Sequence, residues 1–349
     1  LTVGLVLYSV TLSQEKDKSP ANQASSAPQR DKSLDEVFIN SLPSAYVENL
    51  GVNVENPRIS HLERRGSRLI RVFRFPNGIN LGDFLLRNGS RIPAKGTVEF
   101  PADEKLRMRV SNKACLVSAP VLRWFASDDI AELRVGMTGN RLSWVENADD
   151  VLYYISDWTD LIGLEASDTD LSDFGLSKLK KCKKLRRLFV GRTMVTPDAL
   201  CKFPQLKNLE VLDVGFIQGA AKVVREMNGS PALESLFIDN CSLTNDDLIT
   251  IAKFPNLKTL HLQKNAKIDG TGVKHLLGHP NLVYLSVPFT SVSEKDLPIL
   301  AKFRNLQGLQ ISNDSWRESS IAELRKALPP TCRLLVADRS DSAILHVQP

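Results

Sequence analysis

The segment HLLGH places His275 and His279 four residues apart, a spacing that sets two imidazoles on one helix face, as a zinc-dependent hydrolase would need. A zinc site also needs a third ligand, and the flanking sequence supplies none in an evident pattern. Pro280 follows directly, so His279 is expected at or past a helix end, where it faces the last carbonyls. Five cysteines, Cys115, Cys182, Cys201, Cys241 and Cys332, show neither CxxC spacing nor the density of a disulfide scaffold. The odd count leaves at least one thiol outside any intramolecular disulfide. Neither a glycine-rich phosphate loop nor a GxSxG elbow occurs. These residues point to no enzyme, no metal and no cofactor.

Charge gives one further candidate. The run KLKKCKKLRRL, from Lys178 to Leu188 with Arg192 beyond it, is the main basic cluster. It has the composition of a phosphate or acidic-peptide patch, but Glu165, Asp168, Asp170 and Asp173 lie one unit upstream, so a solvated face is the expectation. A formal charge of +5 over 349 residues is too weak to imply a nucleic-acid partner.

The elements that would carry such residues come in blocks. Residues 1–10, LTVGLVLYSV, are too short to cross a bilayer as a helix, which takes about 20 residues. They read as a stub, the end of a signal or membrane segment that began upstream, or a leftover strand. Residues 11–33 have the Ser, Gln, Lys, Pro and Ala composition of a disordered linker, for which amide exchange across Gln14 to Lys32 is the direct check. Residues 34–119, with short apolar runs such as LIRVFRF and turn-like PNG and RNGS, predict a small β-rich unit. Residues 120–146 predict a degenerate repeat or N-terminal cap around Leu133 to Val135, and 147–349 a repeat domain with a C-terminal cap whose last strand begins near Cys332.

The repeat itself is explicit. LIGLEA from Leu161, LRRLFV from Leu185, LEVLDV from Leu209, LESLFI from Leu233, LKTLHL from Leu257, LVYLSV from Leu282 and LQGLQI from Leu306 recur with a nearly constant period, lengthened by a single position between Leu257 and Leu282. Thr169, Thr193, Cys241, Asn265, Thr290 and Asp314 stand at the ninth position, where a small polar group can bond turn backbone. Ile217 cannot do so, and with Gly219 near it the third unit is expected to turn irregularly. Ser172, Thr196, Thr244, Asp269 and Ser293 stand where helix N-caps belong, Asp247 three residues after Thr244 as a capping-box partner.

This pattern resembles the leucine-rich repeats in both its LxxLxLxxN/C signature and its period. The resemblance covers about residues 147–336 and is closest to the ribonuclease-inhibitor-like or cysteine-containing type, with units like those of bacterial multidomain proteins and of ubiquitin-ligase substrate receptors. It implies an α/β class, a right-handed solenoid bent into a horseshoe, and a protein-recognition role. The stub, linker and repeats together also resemble the region that follows the kinase domain in some bacterial membrane receptors.

In LxxLxL the leucines point inward, so third and fifth positions form two ladders on the concave surface. The third-position ladder includes Arg187, Val211 and Tyr284; the fifth includes Phe189, Asp213, Phe237 and His261. Clustered aromatics beside an arginine are the composition of an interface centre, so these seven are the candidate protein-binding residues. The function expected is therefore a non-catalytic module binding a protein partner of unknown identity, with contact to a membrane only through an upstream segment. Two alternatives stay open: a sensory or regulatory region of a membrane-anchored signalling enzyme whose catalytic domain lies elsewhere, and a structural scaffold. Membrane association with an exposed repeat domain, or a cytoplasmic chain, fits accordingly.

Overall fold

In every unit the apolar residues at the first, fourth and sixth positions need one buried side, and a short strand supplies it because alternate side chains leave by opposite faces. Leu209, Leu212 and Val214 and their counterparts in all seven units are each 2% exposed or less. Full burial of such a side chain contributes about 1.5–3 kcal/mol, but only against neighbouring units, since a three-residue strand encloses nothing.

A computed structural model describes residues 58–136 and 146–338. The stub, the linker, residues 34–57, part of the proposed cap and the last residues of the chain lie outside the described residues. The strands in chain order are β1 (Ser60–Arg65), β2 (Arg68–Arg74), β3 (Gly82–Leu85), β4 (Arg91–Pro93), β5 (Thr97–Pro101), β6 (Arg107–Val110), β7 (Glu132–Val135), β8 (Gly163–Glu165), β9 (Arg187–Phe189), β10 (Val211–Asp213), β11 (Ser235–Phe237), β12 (Thr259–His261), β13 (Tyr284–Ser286), β14 (Gly308–Ser312) and β15 (Arg333–Ala337). A 12-stranded sheet runs β15-β14-β13-β12-β11-β10-β9-β8-β7-β6-β3-β4. It is parallel from β15 to β6, with β3 and β4 added antiparallel. Leu212 pairs with Leu188 and Leu236, and Leu236 with Leu260, so like positions stand side by side. The mixed α/β solenoid of the repeat reading is thus present as a parallel ladder.

Strands of the β-rich segment enter that same sheet through β6, β3 and β4, while β1, β2 and β5 form a separate antiparallel sheet. Its core is a phenylalanine cluster in which Phe73 lies 5.1 Å from Phe84 and 5.8 Å from Phe125, and Phe125 in turn lies 5.3 Å from Trp158. Beside it the buried Arg71 pairs with Asp129 at 2.6 Å, and Asp129 also accepts from the Ala126 amide at 2.6 Å.

Turns and caps follow the sequence pattern. Thr169, Thr193 and Thr290 each donate to the carbonyl three residues back at 2.7 Å. Asn265 ties two amides and two carbonyls of the turn backbone together. Thr244 and Asp247 form the capping box, and Ser172, Thr196 and Asp269 each accept from a first-turn amide. The third unit departs as expected: its helix, Ala221–Met227, begins at Ala220 without a side-chain cap, after Gly219 at φ 79°.

One regularity has no expectation behind it. Asp168, Arg192, Phe216, Asn240, Lys264 and Phe289, the eighth position of six units, all take positive φ between 51° and 67°. This left-handed step bends the chain off the sheet in each repeat. Phe216 offsets its steric cost within a stack, the Arg192 guanidinium 3.6 Å from its ring centroid and the Lys264 ammonium at 5.7 Å.

Candidate functional site

The sheet face opposite the leucines carries the two ladders, and strand pairing extends both beyond the repeats. Through β7 and β6 the third-position row continues from Gly163 to Glu132 and Arg107, and the fifth-position row from Glu165 to Arg134 and Arg109. These residues were not among the sequence candidates. The signal was present: RMRV and ELRV match the third to sixth positions of a unit, and Met108 precedes Leu133 by the same interval that separates Leu260 from Leu285.

A cavity of about 290 Å³ opens on this face, lined by Leu85, Arg107, Glu132, Arg134, Glu165, Arg187, Phe189, Val211 and Phe237, among others. Gly163, one of its lining residues, lets its neighbours close over the strand: a β-carbon there would meet the Glu132 side chain at 3.2 Å and Arg187 at 3.6 Å. Across it the Arg187 guanidinium donates to Glu132 at 2.6 Å. Arg109 is held by Asp83. Arg107 donates to the Leu86 carbonyl at 3.2 Å.

Of the seven sequence candidates, the structure brings Arg187, Phe189, Val211 and Phe237 to the cavity and sets Asp213, His261 and Tyr284 outside its lining. Phe189 and Phe237 lie 6.2 Å apart, Phe237 and His261 4.5 Å, and His261 and Tyr284 5.1 Å, a nearly continuous aromatic strip. Arg187, Phe189, Val211 and Tyr284 are half-buried, whereas Phe237 (6% exposed), Asp213 and His261 are buried. Packing between neighbouring rungs, at the close spacing of parallel strands, covers the central rings from both sides. Tyr284 lies over Gly308, where a β-carbon would meet its ring at 2.6 Å, and its hydroxyl donates to Gln310 at 3.2 Å. It therefore stands apart from the cavity.

Three carboxylates accompany the strip: Glu165 and Asp213 within the same row, Asp213 between Phe189 and Phe237, and Asp239 two residues beyond Phe237. Asp213 accepts from the Gly215 amide at 2.8 Å and Asp239 from the Gln263 amide at 2.6 Å. Burial pushes Asp213 up to about 6, and burial together with Asp213 pushes Asp239 up to about 8. Burial and Asp213 likewise raise Glu165, against the pull of Arg134. The Asp213 carboxylate occupies the space a side chain would need at Gly191, whose β-carbon would lie 2.8 Å from Oδ1.

The other sequence candidates resolve into structural roles. His279 is buried, with Nε2 2.7 Å from the Phe254 carbonyl while Nδ1 accepts from the Leu282 amide at 3.1 Å, which fixes the neutral Nε2–H tautomer. His275 is exposed, and no group of three metal-ligating side chains occurs among the described residues. The basic run is partly paired: Lys181 with Asp157 at 2.7 Å, Lys184 with Asp160, Arg187 with Glu132 at 2.6 Å and Arg192 with Asp168, one of the four upstream carboxylates, at 3.7 Å. Lys178 lies 3.8 Å from the Phe174 ring centroid. Among the described residues no helix is long and apolar enough to cross a membrane.

No family model and no curated protein matches this chain. Among solved structures it is similar to an internalin from Listeria monocytogenes, at 20% identity and a TM-score of 0.35 over 48% of this chain and 50% of that one. It is also similar to the Rad7 and Elc1 complex of yeast, at 14% identity and a TM-score of 0.38 over 69% of this chain and 79% of that one. The chain thus matches about half the length of the internalin. What identifies the repeat architecture is the register of the chain's own strands, with leucine beside leucine from β8 to β14.

Proposed function

We propose that this chain is a non-catalytic protein-interaction module, a right-handed leucine-rich repeat solenoid that receives a protein partner on its concave face. Arg187, Phe189, Val211 and Tyr284 supply contact area, and Phe237, His261 and Asp213 form the floor that holds them. The observation that carries this reading is the cavity of about 290 Å³, in which half-buried aromatic, aliphatic and guanidinium groups converge on one hollow of the sheet. An idle sheet face facing water has no need of such rings, and interface centres are built from aromatics and arginine in partly desolvated pockets. The volume lies at the small end of ligand sites, about 300–1,000 Å³, which fits side chains of a partner better than a cofactor.

A photo-crosslinking residue installed at Val211 tests the reading, with the exposed helix-side position Ile249 as the control. In extract of the source organism, a discrete protein adduct is expected from position 211 and is expected to vanish when Phe189→Asp is added. Equal adducts from both positions, or none from 211, would overturn it.

A further inference from the structure

The cavity's charges are unequal in what they are committed to. Arg187 and Glu132 close on each other at 2.6 Å and cancel. Arg107 meets only a neutral carbonyl, that of Leu86, among the described residues. Arg134 forms no hydrogen bond or ion pair among the described residues, and its Nε is buried without an acceptor. Its neighbour in the ladder, Glu165, turns an oxygen to the Ser167 amide at 3.1 Å, and burial raises its pKa against the pull of Arg134. Arg107 and Arg134, on the adjacent strands β6 and β7, thus bring two guanidinium groups to the cavity with no carboxylate hydrogen-bonded to either among the described residues, while Phe189 and Val211, on β9 and β10, form an apolar wall on the other side.

From this arrangement we propose that the cavity takes an acidic side chain, Asp or Glu, presented by an extended segment of the protein partner, with Arg134 and Arg107 as its receptors. The inference rests on the concave-face reading and adds the chemistry of what enters. Guanidinium groups recognise carboxylates through paired, directional hydrogen bonds, strengthened where water is excluded. The apolar wall receives the methylene stem and the neighbouring side chain. A lysine or arginine entering the same hollow would meet Arg107 and Arg134 and be repelled.

The test is a random peptide library displayed against the intact chain, selected in parallel on wild type, Arg134→Gln, Arg107→Gln and Phe189→Ala, with melting temperatures confirming that each variant folds. The expected result is that wild-type selections carry Asp or Glu at one position. A synthetic peptide of the selected sequence should bind about tenfold or more weakly to Arg134→Gln, and also when its acidic residue becomes Gln or Asn. Peptides that depend on Phe189 but show no acidic position, or whose binding is indifferent to both arginines, would overturn the inference and leave the concave-face reading standing. Selections in which no peptide depends on Phe189 would overturn both.

Discussion

Asp239 is buried just past the end of β11, where it accepts from the Gln263 amide, and Asp213 is buried one repeat away on the Gly215 amide. Arg192 pulls both toward ionisation and Lys264 pulls Asp239, but burial dominates. Because their native pKa values, about 6 and about 8, lie above the ordinary 3.8, the native state holds these protons more tightly than the unfolded chain. The stability linked to them is complete below about pH 4 and is lost as pH rises through those two values. Asp239→Asn keeps an oxygen for the Gln263 amide and removes the ionisation. Its melting temperature should exceed that of the wild type at pH 9 and match it only below about pH 4; a gain of equal size at both would show that ionisation is not the cause. The two phenylalanines divide in the same way. Phe237→Ala should cost about 3–5 kcal/mol, as for a core ring, whereas the half-buried Phe189 should cost about 1 kcal/mol or less when truncated, measured by urea unfolding.

At the scale of the element, each unit is a strand, a left-handed step and a capped helix, and the ninth residue ties them. In the fifth unit Asn265 is fully buried: its oxygen accepts from the Cys241 and Leu243 amides, both at 3.0 Å, and its nitrogen donates to the Ile238 and Leu262 carbonyls at 2.9 and 3.0 Å. Asn265→Ala strands four backbone groups with no water to replace it, at about 1–3 kcal/mol for each group that stays unmet. A loss above about 3 kcal/mol in urea unfolding is expected, and the amides of Cys241 and Leu243 should lose hydrogen-exchange protection together. Thr193, whose hydroxyl donates to the Val190 carbonyl at 2.7 Å and accepts from the Val195 amide at 3.3 Å, should cost about 1–2 kcal/mol on change to Ala.

For the molecule as a whole, the question is whether the antiparallel β-sheet at the N-terminal side and the repeats unfold together. Strand β6 continues the repeat sheet, and the Arg71–Asp129 pair and the Phe125–Trp158 contact join β2 to the segment before β7 and to the first repeat. Asp129→Ala removes the buried partner of Arg71 and leaves only the exposed Asp128 carboxylate, 2.9 Å away, to meet its charge, a change worth about 3 kcal/mol. Tryptophan fluorescence, to which Trp124 and Trp158 contribute from this end, and far-UV dichroism, which reports every unit, should shift together to lower denaturant. A fluorescence transition that moves alone would mean that the two parts unfold separately.

The repeat, its period, its caps and the irregular third turn were all legible in the sequence, because each depends on local chemistry: leucine spacing, a hydroxyl before a helix, a β-branched residue where a polar one is needed. The membership of the two ladders was legible for the same reason, since strand geometry alternates faces whatever lies nearby. Burial within the ladders was not. Phe237 and Phe189 occupy the same position in their units, and only their neighbours, His261 packed on one and Glu165 beside the other, decide that one is buried and the other half-buried. Arg107 and Arg134 come from strands that precede the regular repeats, joined to them by pairing that only the degenerate segments RMRV and ELRV signal. The left-handed eighth position was hidden as well, because residues as different as Asp168, Phe216 and Lys264 fill it. There the backbone path of the stack imposes the conformation, and the side chain merely tolerates it.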